Sequence, residues 1–124
     1  MEEPKRIGLT KEANGYLEEM LESLNSDNSA QTLIKFDLYR LAVALGVKRG
    51  EKPTMINGTT DNALRVAEID EDNALYVAVK AANLQDPGES VYRVVERLAE
   101  QGVRNFYDEH QKHVGKLPWD KILV

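Results

Sequence analysis

The chain has no cysteine. Disulfide scaffolds and thiolate metal centres are therefore excluded. It also lacks any run approaching the roughly 18–20 apolar residues that span a bilayer. The start, Met1-Glu2-Glu3-Pro4-Lys5-Arg6, has no apolar core of the kind a signal peptide needs, so a cytoplasmic location without membrane attachment is expected. There is no internal repeat and no low-complexity segment. Positive charge is also short: the net charge is -5 over 124 residues, which argues against a protein that coats nucleic acid generically. The chemical motifs are missing too. No glycine-rich phosphate loop, nucleophile elbow or paired-cysteine spacing occurs. Asp70-Glu71-Asp72 is only a fragment of a calcium loop and reads as a capping cluster. Asn57-Gly58-Thr59 fits a glycosylation sequon, which has no meaning without secretion.

What remains is a chain that buries a modest core and binds rather than converts. The 42% hydrophobic and 30% charged residues suit one folded domain, 1–124. It divides into a strand, two helices and a basic loop (1–53), a helical second half (54–113) and an apolar tail (114–124). Residues 1–57 hold 8 basic and 9 acidic residues, and 58–124 hold 8 and 12. A polyanion site is thus expected in the first half.

The periodicities predict a mainly α fold. Lys5 to Thr10 alternates, with Ile7 and Leu9 on one side and Arg6, Gly8 and Thr10 on the other, as in a short strand. Thr10 then caps a helix over Lys11 to Asn25, with Ala13, Tyr16, Leu17, Met20, Leu21 and Leu24 as its stripe. A second helix, Ala30 to Leu45, is apolar on nearly every side and must be covered by the domain or by a second chain. Gly46 fits its C-terminal stop, with Lys48 and Arg49 just beyond the negative end. Leu64 to Ile69 fits either a strand or a helical turn. A third helix is expected over Asn73 to Leu84. A fourth is expected from Pro87 to His110, capped by Asp86 and Glu89, with Val91, Val94, Val95, Leu98, Gly102 and Phe106 buried.

Strand, helix, helix in that order resembles the first half of the ribbon–helix–helix plan. There, two chains pair their strands and the ribbon enters the DNA major groove. Phe36 to Pro53, ending Leu45-Gly46-Val47-Lys48-Arg49-Gly50-Glu51-Lys52-Pro53, resembles small proteins associated with bacterial DNA phosphorothioation (Dnd) systems. In these an apolar helix leads to a Leu-Gly-x-Lys-x-Gly loop and a proline. Ala74 to Val79 and Val91 to Phe106 are similar to that family's second half. The DndE type, helical and linked to DNA binding, resembles residues 5–46 in layout. The resemblance implies a place in a DNA-modification or defence operon, and no catalytic residue.

The expected function is thus that of a non-enzymatic accessory protein, a homodimer, needing no cofactor. It would bind double-stranded DNA through Lys5, Arg6, Lys48, Arg49 and Lys52, or a larger protein partner from the same operon. The DNA contact is phosphate positioning, with Arg6, Gly8 and Thr10 facing outward. Two other readings stay open: an interaction adaptor whose basic loop is incidental, and a ribbon–helix–helix regulator. Asp108, Glu109, His110 and His113 are the only metal-like cluster. Spacing supplies no third ligand beside the two histidines, so no metal is expected. Trp119, Ile122, Leu123 and Val124 either dock on a partner or close over the helices.

Overall fold

The computed structural model describes residues 3–25, 35–50, 52–53, 55–56, 58–61 and 63–112. The fold is mainly α, as expected. In chain order it has β1 (Arg6–Ile7), α1 (Lys11–Asn25), α2 (Lys35–Arg49), β2 (Leu64–Arg65), α3 (Val66–Ile69), α4 (Ala74–Ala82) and α5 (Val91–Lys112). Among these residues no helix is long and apolar enough to cross a membrane. The expected helical start at Ala30 and the tail 114–124 lie outside the described residues.

Helix α5 is the axis on which the rest is built. Its Val91, Val94, Val95, Leu98, Ala99, Val103 and Phe106 recur at the helical period and are buried. α2 lies along it, and Gly102 sets the separation. A Cβ there would fall 2.9 Å from the Ala42 Cα, so only glycine lets the two backbones approach this closely. Leu38, Tyr39, Ala42, Val43 and Leu45 of α2 are buried in the same core. The covering that this apolar helix demands is supplied within the chain and does not require a second copy.

Two helix boundaries differ from expectation. α2 does not stop at Gly46 but runs on to Arg49. Gly46 is where Leu98 packs: a Cβ would meet the Leu98 Cδ2 at 2.8 Å. The stop is Gly50, with φ +70°, whose amide closes the last turn onto the Gly46 and Val47 carbonyls. Lys48 and Arg49 therefore sit inside the last turn. α5, in turn, starts at Val91 rather than Pro87. Asp86 to Glu89 close on themselves as a turn, and Gly88 at φ +79° cannot be helical.

α5 is capped by Ser90, whose Oγ accepts from the Arg93 amide at 3.3 Å, together with a residue distant in sequence. The Glu3 carboxylate accepts from the Ser90 hydroxyl (2.6 Å), the Tyr92 amide (2.9 Å) and the Val91 amide (3.0 Å). Partial burial pushes this carboxyl up, but the three hydrogen bonds outweigh that and hold it below its usual range. Asp70 does the same for α4, accepting from the Leu75 and Tyr76 amides and from the Tyr92 hydroxyl at 2.7 Å. Burial, and then this bond to Asp70, push the Tyr92 phenol well above its usual range. Arg40 of α2 closes α3 by donating to the Ile69 and Glu68 carbonyls.

Strand β1 pairs antiparallel with β2 of the same chain, Arg6 opposite Arg65 and Ile7 opposite Leu64. The segment Leu64 to Ile69 is thus both strand and helical turn. Ile7, Leu9 and Leu64 enter the core, as the alternation predicts. The outward face does not hold beyond Arg6. Gly8 and Thr10 are buried, and their amides donate to the buried carboxylates of Glu96 (2.9 Å) and Glu100 (3.0 Å) on α5. Each such charge-assisted bond contributes roughly 1.5–3 kcal/mol. The Thr10 hydroxyl donates to Glu100 at 2.8 Å and accepts from the Ala13 amide, capping α1 as expected. The buried Tyr39 hydroxyl ties α2 to the Gly8 carbonyl at 3.1 Å. With β2 on one edge and carboxylates along the other, β1 has no edge free for a twin's strand.

Candidate functional site

The five cations singled out in the sequence do not form one patch. Lys52 is spent on Asp86 at 2.7 Å, which holds that carboxyl below its usual range. Lys48 is exposed but engaged by another group. Arg49 borders a cavity of about 20 Å³ between α2 and α5, beside Gly46 and Gly102. That space holds about one water and no ligand.

Lys5 and Arg6 lie elsewhere: Arg6 on the outer face of the two-stranded sheet, and Lys5, also exposed, at the entry to β1. Sequence reading missed their third member, Arg65. As cross-strand partners, Arg6 and Arg65 share one face, and both are exposed. Like charges directly opposite are destabilising. Among the described residues Lys5 and Arg6 have no acidic partner within ion-pair reach. Arg65 has one, Glu68, at 3.7 Å with both side chains more than half exposed, which restrains it little. The only sequence signal for Arg65 was its place in the alternation Leu64 to Ile69.

The three cations rim a cleft of about 670 Å³ formed by β1, β2, α3 and the start of α5. Pro4, Val66 and Ala67 give it an apolar wall. Glu3, Asp70, Glu71, Asn73 and Tyr92 complete it. Two of its acids are already committed: Glu3 to the N-terminus of α5, and Asp70 to that of α4. Glu71 is exposed and caps neither helix.

Two further clefts, each about 440 Å³, flank Met55 and Ile56 where they cross α5. Their arginines are all neutralised. Arg93 pairs with Glu96 at 3.1 Å, Arg97 with Glu89, and Arg104 with Glu100 and Glu12 at 2.8 Å each. Of the histidine cluster, His110 is buried beside the Tyr107 ring, and His113 lies outside the described residues. Among the described residues no three His, Asp or Glu side chains converge as a metal ion requires.

No family model, no curated protein and no solved structure matches the chain.

Proposed function

We propose that the protein is a non-enzymatic binding protein that docks on the phosphate backbone of double-stranded DNA through Lys5, Arg6 and Arg65. Its setting is the accessory role in a bacterial DNA-modification or defence system that the resemblance of residues 36–53 implies. One observation carries the contact. Arg6 and Arg65 stand in register with Lys5 beside them, and among the described residues Lys5 and Arg6 have no acidic partner within ion-pair reach. A phosphate placed between the two guanidinium groups relieves their repulsion and matches the fork geometry of both. Lys48 and Arg49 lie at the far end of α2 and are secondary in this reading. Lys52 is also secondary: it lies away from the sheet and has an exposed ion pair with Asp86 at 2.7 Å.

The test is the salt dependence of binding to a duplex of about 20 base pairs, long enough to cover any face of a domain this size. Three phosphate contacts give a slope of log affinity on log salt near -2.7, at about -0.9 per contact. Arg6→Glu with Arg65→Glu should abolish binding, whereas Lys48→Glu should change it little. No duplex binding at low salt would sink this reading and favour the adaptor. The adaptor reading has its own observation, Met55, an apolar side chain 74% exposed between two clefts.

A further inference from the structure

The cleft beside the cations has features that duplex backbone leaves unused. A duplex offers its phosphates on a convex surface and keeps its bases stacked inside. It would meet Lys5, Arg6 and Arg65 at the rim and leave the wall of Pro4, Val66 and Ala67 empty. That wall lies next to the arginine pair in a space of about 670 Å³, within the range of small-ligand sites. The charge balance also favours an anion. Glu3 and Asp70 are compensated by the positive ends of α5 and α4, which leaves three cations against Glu71 in the cleft and Glu68 beside Arg65.

Building on the DNA-binding reading, we infer that the cleft takes one unpaired nucleotide, its phosphate between Arg6 and Arg65 and its base against Pro4, Val66 and Ala67. Glu71 stands across the cleft as an exposed carboxylate. It accepts from an exocyclic amine, as on cytosine; at that same position thymine carries the O4 carbonyl, an acceptor facing the carboxylate, and offers only its N3–H further along the edge. The ligand is therefore a nucleotide bearing an amino base, either free or within a single strand.

The experiment compares eight-residue oligo-dC, oligo-dT, a duplex of the same length and free dCMP by fluorescence anisotropy and by amide chemical shifts. Oligo-dC should bind at least about tenfold more tightly than the duplex and than oligo-dT, the factor one charge-assisted hydrogen bond supplies. Ala67→Trp fills the apolar wall without changing charge. It should remove the oligo-dC preference and leave duplex binding intact, with folding checked by circular dichroism. In the unsubstituted protein, dCMP or oligo-dC should shift the Val66 and Ala67 amides. Saturable dCMP binding identifies the free nucleotide as sufficient, and a response to oligo-dC alone identifies a strand; both support the site. Duplex binding equal to or tighter than oligo-dC, or no shift at Val66 and Ala67, overturns the inference and leaves the duplex reading standing. Loss of all binding at low salt overturns both.

Discussion

The molecule carries two groups of arginines that look alike in sequence and differ in the fold. Arg93, Arg97 and Arg104 line one side of α5, each already paired with carboxylates. Arg6 and Arg65 face each other on a two-stranded sheet, with Lys5 alongside and only the distant Glu68 near Arg65. The first group is structural charge: it neutralises acids that the fold has buried. The second costs stability by repulsion, and the exposed Glu68, 3.7 Å from Arg65, compensates it little. The number of cations in a segment does not identify a ligand site; the number left uncompensated after folding does.

The sharpest way to break the first group is Glu100→Ala. It strands the buried Thr10 amide and removes one of the two carboxylates on Arg104, and should cost about 3 kcal/mol in urea denaturation. A loss below about 1 kcal/mol would show that β1 is not held by these carboxylates. Next comes the axis itself. Gly102→Ala puts a Cβ 2.6 Å from that of Ala42 and should cost about 2 kcal/mol through overpacking. An unchanged denaturation midpoint would contradict the close approach of α2 and α5.

Glu3→Gln tests the cap that positions the second group and should cost about 1 kcal/mol at neutral pH. The Glu3 carboxyl is held below its unfolded value, so its contribution is complete above about pH 5. It is lost as pH falls through the lowered folded value. The stability gap between the parent and Glu3→Gln should therefore close on acidification, and a gap that widened instead would contradict the capping role. The smallest effect on stability belongs to Arg65→Ala, within about 0.5 kcal/mol and in the favourable direction, because it removes a like-charge neighbour. Its effect on DNA affinity should nevertheless be about tenfold. Arg104→Ala should reverse that pattern, with stability falling and DNA affinity holding. If both arginines behaved alike, the distinction between spent and uncompensated charge would fail.

Local signals were enough for part of this. The Thr10 cap and the apolar stripe of Lys11 to Asn25 bound α1 correctly, because both lie within one helix. The buried stripe of α5 was legible for the same reason. Errors arose where a residue's meaning depended on a distant partner. Gly46 reads as a stop until Leu98 is packed on it. Asp86 reads as a cap until Ser90 and Glu3 take that place. For the candidate site, Lys5 and Arg6 were visible as local charge, but Arg65 joins them only through strand register. Lys48, Arg49 and Lys52 read as a ligand loop only while Asp86 and the continuation of α2 are unknown.

The extended run from Gly8 to Thr10, which follows β1, meets α5 like a vernier scale. Alternate strand residues are about 6.6–6.8 Å apart, and helix residues four apart are about 6.0 Å apart along the axis. Gly8 on Glu96 and Thr10 on Glu100 are two divisions that nearly coincide. By the third division the scales differ by about 1.3 Å, and the helix has turned its side chain about 80° away. The chain leaves the extended run there. The third match, Glu12 with Arg104 at 2.8 Å, spans the mismatch with two long side chains and the charges exchanged. The mismatch of two repeats thus limits how far an extended segment can run along a helix face, and here it admits two bonded positions, Gly8 and Thr10, before the chain turns into α1.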